Sequence, residues 1–367
     1  MMQKLGIDKV LLITVIIMSL FGIIMVYSAS NVIALEKYND SLYFAKRQFA
    51  FLILGYILFI LFLKIDIFKL KKYSSLIFLV CFILLILVLI PGIGIVRGGA
   101  RSWIGIGSFS IQPSEFMKLG IIILLSKYLS SNYMDLVKGK VFFSLVGFVG
   151  IIFLLITLQP DFGTGLVMLL SCIILFYLSG SLNKYYLIII TAGVLGMTLL
   201  IISAPYRLER ITAFLNPWQD PLGSGFQGIQ SLFAITPGGL FGHGFNKSMQ
   251  KHFFLPEPQN DFIFAIIIEE FGLFGGFFVM LGYFIIIYRG VLISLSVDDM
   301  FLKFLSLGIV ISLFIQVLIN VGVVVGLLPV TGITLPLFSY GGSSLLLTIS
   351  SLSILLSISQ YRNFDYR

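Results

Sequence analysis

The chain has 367 residues, of which 59% are hydrophobic and only 11% are charged. Soluble domains carry about 25% charged residues, so this composition excludes a soluble globular protein and indicates a polytopic membrane protein. The net charge of +8 does not indicate nucleic-acid binding, because the basic residues form no arm and lie mostly between apolar stretches. Cys81 and Cys172 lie in different apolar stretches without CxxC or metal-binding spacing, and we interpret them as small core residues.

The apolar stretches predict the fold class. A membrane helix needs about 17 to 25 apolar residues, and the first stretch, which begins at Val10, is longer than the core of a cleaved signal peptide. The sequence predicts an all-α, polytopic integral membrane protein with about ten transmembrane helices, in which residues 1–367 form one domain. The predicted spans are 10–28, 48–63, 73–90, 113–130, 141–158, 163–180, 184–203, 262–288, 302–327 and 342–360.

The distribution of lysine and arginine predicts the orientation of the chain. One set of alternate loops carries most of these residues, and such loops face the cytoplasm. Both termini are then cytoplasmic, and the large loop 204–260, between predicted helices 7 and 8, lies outside. The other outer loops, except the first, are rich in Gly, Pro and polar residues. We therefore expect the chemistry of the protein on its outer face.

Two outer loops place acidic residues at the starts of predicted helices. Glu115 follows Pro113 in the first turn of the fourth span and precedes Lys118 by three positions, so the two side chains can pair. This pair either contacts a ligand or only anchors the helix. Asp161, before the sixth span, either caps that helix or contacts a ligand, and the two roles are compatible.

The large outer loop combines aromatic and basic residues. Its Phe, Leu and Trp residues predict amphipathic segments on the outer bilayer surface. His243 and His252 have no cysteine nearby, and their spacing does not indicate a transition-metal site. Four basic side chains suit a lipid phosphate or pyrophosphate, or anionic headgroups in general: Arg207, Arg210, Lys247 and Lys251.

The stretch 328–344, LPVTGITLPLFSYGGSS, contains prolines and glycines that exclude a continuous helix. Non-helical backbone near membrane depth is tolerated only where protein or a watery cavity covers it. The Gly-Gly-Ser-Ser entry to the tenth span, which includes Ser343, offers free backbone N–H groups that can hold an anion. A turn with a purely structural role is the alternative.

The stretch 255–270, LPEPQNDFIFAIIIEE, places Asp261 where a polar loop enters the eighth span. A charge at this boundary is costly and marks a functional site by default, whereas a helix cap is the structural alternative. Glu269 and Glu270 lie about 12 Å deeper along the helix. We expect these glutamates to hold the helix against polar partners, with a proton path as the alternative.

Taken in order along nearly the whole chain, these motifs resemble the SEDS family, the shape, elongation, division and sporulation proteins that polymerise peptidoglycan. Pro217-Trp218 with Asp220-Pro221 and Gln250-Lys251 resemble its division and spore-cortex branch, FtsW and SpoVE, more than RodA. The other segments that carry the resemblance are Met25–Ser30, Lys46–Gln48, Trp103–Gly105, Gln112–Glu115, Gln159–Thr164, Gln230–Leu232, Leu255–Glu257, Asp261–Phe264 and Ser339–Ser344.

The resemblance implies an inverting glycosyltransferase that polymerises lipid II on the outer face of the cytoplasmic membrane, in septal or spore-cortex wall synthesis. It implies Asp261 as the catalytic base for the 4-hydroxyl of the acceptor sugar. Basic groups or a divalent cation, Mg²⁺ or Mn²⁺, would stabilise the leaving undecaprenyl pyrophosphate, although no metal-binding motif is recognisable. The predicted substrate-binding residues are Arg101, Glu115, Lys118, Asp161, Arg210, Lys251 and Ser343.

The resemblance also implies partners. These are a class B penicillin-binding protein, which is a single-pass transpeptidase, and other proteins of the division or elongation complex. Two alternatives to the polymerase stay open. A lipid II flippase should place polar groups along a path through the bilayer, and a scaffold of the complex would need no external carboxylate. The concentration of polar residues at the outer rim favours the polymerase.

Overall fold

The computed structural model describes residues 6–97, 99–106, 109–203 and 205–362. Each predicted span coincides with a helix, and two further helices, α8 and α9, belong to the large loop. The helices are α1 (Lys9–Tyr38), α2 (Tyr43–Lys64), α3 (Phe68–Leu87), α4 (Pro113–Asn132), α5 (Gly139–Thr157), α6 (Phe162–Leu178), α7 (Asn183–Ile202), α8 (Pro205–Leu215), α9 (Phe226–Ile235), α10 (Ile263–Leu295), α11 (Met300–Val324) and α12 (Gly342–Ile358).

Membrane-spanning character is confirmed for this fold. Within the described residues, seven helices are long and apolar enough to cross a bilayer, namely α1, α2, α3, α5, α10, α11 and α12 with the turn that follows it. The predicted class, an all-α polytopic membrane protein, is therefore right. The count of ten spans and the extent of the single domain stay predictions. Both cysteines are buried and free, as expected of core residues.

The loop between α3 and α4 contains a small sheet that we did not predict from the sequence. Strands β1 (Gly94–Arg97), β2 (Ala100–Ile106) and β3 (Phe109–Ile111) pair antiparallel in the order β1-β2-β3. Short apolar runs separated by Gly-rich pairs are a hairpin signal, and here the predominance of long apolar helices concealed it. The sheet leads directly into Pro113 at the start of α4.

The centre of the bundle is formed by α11 and α12. The apolar windows of these helices are 72% and 89% buried, whereas that of α3 is 17% buried. Helix α11 packs against α4, α6, α10 and α12, and α12 packs against α2. Helix α7 is the opposite case, because residues such as Leu187 and Leu199 are about 70% exposed and, among its side chains that the structure describes, only Tyr185 near its start is buried. The loops that we predict to lie outside thus pack on a core formed by α4, α10, α11 and α12.

Helix α10 is interrupted at Gly272, where φ is 66° and ψ is −163°. The large loop supplies hydrogen-bond partners there. The N–H groups of His243 and Gly244 donate to the backbone carbonyls of Glu269 and Glu270, at 3.0 and 2.9 Å. Residues 262–270 are all buried by protein, and the first exposed side chain of α10 is that of Leu273. The predicted span over 262–288 is present as α10, and the break inside it arises because the loop packs onto the helix and replaces its internal hydrogen bonds.

Candidate functional site

Asp261 lies two residues before α10, at the end of the large loop, with a half-buried side chain. The N-cap of α10 is Phe262 and has no side-chain cap bond, so Asp261 does not cap the helix. Within the described part of the chain, no other residue donates a hydrogen bond to its carboxylate, which is bound only by its own backbone N–H. Its backbone carbonyl, by contrast, accepts a 2.8 Å hydrogen bond from Asn320 Nδ2. The carboxylate is therefore free to meet a substrate.

The surroundings of Asp261 raise its pKa to about 6. Partial burial is the main cause, since it disfavours the charged form, and the nearby Glu257 carboxylate raises the pKa further. The Arg210 guanidinium acts in the opposite direction and lowers it. A carboxyl whose pKa lies nearer to neutrality is a better general base than an ordinary one. The raised pKa of Asp261 agrees with the predicted role of a base, which stays a prediction.

A cavity of about 700 Å³ lies between α8, α9 and the start of the 328–341 segment. We call it the outer cavity, after the predicted outer face. That volume is within the usual range for a small-molecule site. Arg210 lines it and donates from Nη1 to the carbonyl of Val330 at 3.0 Å. Pro256, from the segment that carries Asp261, lines it too. The outer cavity therefore combines a cation, the carboxylate of Glu209 and apolar walls, and Pro256 connects it to the segment that carries Asp261.

The predicted pair of Glu115 and Lys118 is present and buried. Their charged groups are 3.0 Å apart, and Lys118 Nζ also donates to Gln316 Oε1 on α11 at 2.8 Å. Gln316 in turn donates to the carbonyl of Thr334 at 3.0 Å. This chain of bonds ties α4 to α11 and to the proline–glycine loop, as we call residues 328–341. The geometry supports the anchoring alternative, and neither charge lines the outer cavity.

Asp161 and Ser343 lie in one joint between α4, α6 and α12. Asp161 caps α6 and accepts hydrogen bonds from Gln112 Nε2 at 2.7 Å and Ser114 Oγ at 2.5 Å. The Ser343 hydroxyl accepts from the backbone N–H of Gln112 at 3.1 Å. The capping role weighed for Asp161 is therefore present, and Ser343 is engaged with protein. Contact of either residue with substrate stays a prediction.

Lys251 is held inside the protein. Its side chain is 2% exposed, donates to the Asn246 carbonyl at 2.7 Å and pairs with Glu270 at 3.5 Å. Glu270 also accepts from Ser28 Oγ at 2.6 Å, which joins α10 to α1. The expectation that Glu270 holds the helix against polar partners agrees with these contacts. Lys251 is committed to internal partners, and its predicted contact with pyrophosphate gains no support from this geometry.

The remaining predicted cations lie in different surroundings. Arg101 is on β2, with its side chain over Gly94 of β1, and does not line the outer cavity. The side chain of Arg207 lies outside the described residues. No group of three or more His, Cys, Asp or Glu residues in the described chain could hold a metal ion. These residues alone do not form a site for Mg²⁺ or Mn²⁺, and the divalent cation stays a prediction.

Three buried amides around Asp261 were missed by sequence reasoning. Gln48, Gln316 and Asn320 all donate to backbone carbonyls of the proline–glycine loop. A polar residue inside an apolar span is a functional signal, but the sequence does not show which backbone group it will bind. These amides explain how the non-helical loop is tolerated, since residues 335–339 are buried by protein as we expected.

Comparison with known proteins identifies the family. The model of the FtsW/RodA/SpoVE cell cycle protein family matches residues 8–364. The chain is 48% identical to the stage V sporulation protein E of Bacillus subtilis over 99% of both chains. It is 38% identical to a probable peptidoglycan glycosyltransferase FtsW of Geobacter sp. (strain M18), over 96% of this chain and 97% of that one. The chain belongs to the FtsW/RodA/SpoVE family.

Solved structures of this family share the fold. A chain of a peptidoglycan synthase complex that coordinates polymerization and crosslinking matches with a TM-score of 0.81 and 29% identity, over 98% of this chain and 100% of that one. Thermus thermophilus RodA matches with a TM-score of 0.72 and 26% identity, over 98% and 99%. The higher identity to the sporulation protein and to FtsW than to this RodA agrees with the predicted branch.

Proposed function

We propose that this protein is a peptidoglycan glycosyltransferase that adds glycan from lipid II to a growing strand in septal or spore-cortex wall synthesis. The observation that carries the proposal is the half-buried carboxylate of Asp261, which no other described residue binds and which lies close enough to Arg210 of the outer cavity for that cation to lower its pKa. FtsW and SpoVE relatives that match almost the whole chain support the same activity. The enzyme works on the outer face of the cytoplasmic membrane, with both termini in the cytoplasm.

The reaction assigns one step to each charged group. Asp261 accepts the proton of the acceptor sugar's 4-hydroxyl as its oxygen attacks the anomeric carbon of the donor. The bond from that carbon to undecaprenyl pyrophosphate breaks on the opposite side, so the configuration inverts. Arg210, which lines the outer cavity, would stabilise the negative charge that develops on the pyrophosphate. Pyrophosphate is a good leaving group, and a second acidic residue is not required.

The partner we propose is a class B penicillin-binding protein, whose transpeptidase domain would crosslink the new strands. A related chain of similar fold occurs in a peptidoglycan synthase complex, which supports an assembly of this kind. A lipid II flippase is favoured by no observation, because the buried glutamates of the described bundle are already bound by protein, and Glu269 accepts from Ser248 Oγ and the N–H of Met249. Glu115 is bound to Lys118, and Glu270 is bound to Lys251.

The decisive experiment is strand synthesis by Asp261 variants. Purified protein with its transpeptidase partner would be given labelled lipid II, and the products separated on a gel. We expect Asp261→Ala and Asp261→Asn each to lower the rate by about 100- to 10,000-fold, because neither side chain can accept the proton. Asn keeps the shape of Asp, so its loss of activity would assign the effect to the charge.

A matched control is Asp40→Asn, since Asp40 lies in the short loop between α1 and α2 and its carboxylate contacts only its loop neighbours in the described chain, Lys46 Nζ and the N–H of Leu42. This variant should retain the wild-type rate. Strand synthesis at the wild-type rate by Asp261→Ala would refute the catalytic assignment. Lipid II translocation in vesicles that contain no other protein would support the flippase instead.

A further inference from the structure

The candidate base is attached to the site through its backbone as well as its side chain. The Nδ2 atom of Asn320, on α11, donates to the carbonyl oxygen of Asp261 at 2.8 Å and to that of Ile333 at 2.7 Å. Ile333 belongs to the proline–glycine loop. One side chain therefore joins the segment that carries the carboxylate to the loop beside it.

The chemistry of Asn320 suits this bridge. The residue is 1% exposed, and its Oδ1 accepts no hydrogen bond within the described chain. A primary amide has two donor hydrogens, and the two carbonyl oxygens use both of them. The whole donor capacity of the side chain thus serves the contact between Asp261 and Ile333. An apolar or shorter side chain cannot make both bonds.

The loop to which Asn320 attaches the segment is itself firmly held. Gln48 on α2 donates to the Ser339 carbonyl at 3.0 Å and accepts from the N–H of Gly341 at 3.3 Å. The N–H of Tyr340 donates to the Gln259 carbonyl at 2.8 Å. The segment 259–261 is therefore bound to a fixed loop directly by a backbone bond and indirectly through Asn320. Asn320 is the contact that a substitution can remove.

We propose that Asn320 is a positioning residue for glycosyl transfer, which sets the place of Asp261 by holding its carbonyl against the proline–glycine loop. This inference rests on the proposed function of Asp261. A misplacement of reacting groups by about 1 Å can cost on the order of 100-fold in rate, so loss of the bridge acts on turnover. Substrate affinity stays near its wild-type value, because Asn320 does not line the outer cavity.

Loss of the bridge also changes the surroundings of the carboxylate. In the intact protein, partial burial and Glu257 raise the pKa of Asp261, and Arg210 lowers it. A released segment exposes the carboxylate to water, and its pKa falls toward the ordinary value of about 3.9. Activity that needs the ionised carboxylate then persists to lower pH. A residue that only stabilised the fold would not have this effect.

The test is the pH dependence of strand synthesis by Asn320→Leu and Asn320→Ser. The full-length protein with its transpeptidase partner would be assayed with labelled lipid II, with kcat and KM measured across the acidic and neutral range. We expect kcat to fall by about 10- to 100-fold, KM to stay near its wild-type value, and the acid limb of the kcat profile to move to lower pH. The Ser variant is small and serves if the Leu variant does not fold.

Gln316→Leu is the matched control. Gln316 lies one turn earlier on α11, is buried, and donates to Thr334 of the same loop without touching Asp261. Its acid limb should stay where the wild type has it. An equal shift in this variant would overturn the proposal, and so would Asn320 variants with wild-type kcat or an unmoved acid limb.

Asp261→Ala in the same assay separates the two proposals. Undiminished synthesis by that variant removes the function proposed for Asp261, and the positioning role falls with it. An inactive Asp261→Ala, combined with Asn320 variants that match the wild type, removes the positioning role alone.

Discussion

At the residue scale, the decisive feature is the Asp261 carboxylate, to which no other described residue donates, in a bundle where the buried glutamates are bound by cations or by hydrogen-bond donors. Lys251 and Glu270 neutralise each other, and so do Glu115 and Lys118. Asp261 instead has a charged neighbour of each sign, and its burial is only partial. Partial burial of this carboxylate lowers the free energy of unfolding, and such a cost is expected where a carboxylate must accept a proton.

The raised pKa of Asp261 predicts the pH dependence of the enzyme. The base works in its ionised form, so kcat/KM should fall as the pH drops through about 6, the pKa of the free enzyme. Glu257→Gln removes a charge that raises this pKa, and we expect the acid limb to move to lower pH. Glu209→Gln removes a carboxylate that lines the outer cavity, and this variant should leave the midpoint of the acid limb unchanged. Measured pH profiles of kcat/KM with labelled lipid II check this prediction, and a wild-type rate that stays flat through pH 6 would contradict it.

At the element scale, the break in α10 determines what the outer half of the helix does. The carbonyls of Gly239 and Leu240 accept from the N–H groups of Leu273 and Phe274, at 3.0 and 3.2 Å. Loop and helix therefore share hydrogen bonds across a close crossing of Gly242 and Gly272. This crossing fixes the half-helix 263–271 against the large loop, and Asp261 lies at its free end.

We predict that Gly272→Ala destabilises the protein by about 3 kcal/mol. The backbone angles at this position are accessible almost only to glycine, and a Cβ atom would overlap the backbone of Leu240 and Gly242. Thermal denaturation of the purified protein, followed by fluorescence or loss of monodisperse material, measures the effect. Gly193→Ala is the control, because a Cβ atom on this residue of α7 meets nothing within 4 Å and should be neutral or slightly stabilising. Equal melting temperatures for the two variants would show that the crossing carries no stability.

At the scale of the whole molecule, the two ends of the described chain meet in one cluster with α10. Asp8 caps α1 and accepts from Arg289 Nε at 3.0 Å and from Arg362 Nη1 at 2.9 Å, while its N–H donates to Ser359. Burial raises the pKa of the Asp8 carboxyl, but the hydrogen bonds and the two arginine charges outweigh burial and hold this pKa below its usual value. The cluster joins the start of α1 to the last turns of α10 and to the turn after α12.

We predict that Asp8→Asn lowers the free energy of unfolding by about 2 kcal/mol, because Asn keeps the cap but leaves two arginines without a counter-charge. The folded-state pKa of Asp8 is lowered, so its contribution is present above the ordinary pKa and is lost only as the pH falls through the lowered value. The difference between variant and wild type should thus be constant from weakly acidic to weakly basic pH. Melting temperatures over that range check it, and Asp135→Asn, which breaks the exposed pair with Lys138, should leave them unchanged.

Much of the architecture could be predicted from the sequence because it depends on local composition. An apolar stretch of membrane length requires a helix whatever surrounds it, since unpaired backbone groups are too costly in lipid, and all ten predicted stretches are helical. Asp261 was predicted as a candidate site residue for the same reason, because a charge at the junction of loop and helix is unusual beside an apolar stretch. The family resemblance then favoured it over a helix cap. The three-stranded sheet was missed because its strands are too short to stand out beside such helices.

Tertiary structure alone decided the rest. The apolar run after Asp261 is continuous in sequence, and only the return of residues 239–244 onto it explains the break at Gly272. Lys251 is an ordinary loop cation in the sequence, yet Glu270 binds it from a different element. In the sequence, Asn320 is one of several polar residues of an apolar helix, and only the fold brings Asp261 and Ile333 to its amide. Sequence by itself determined which segments are helical and where a charge is out of place, because both are properties of neighbours along the chain. Contacts between residues far apart in sequence depend on how the helices pack. Packing therefore decided which polar side chains are bound by other residues and which carboxylate is not.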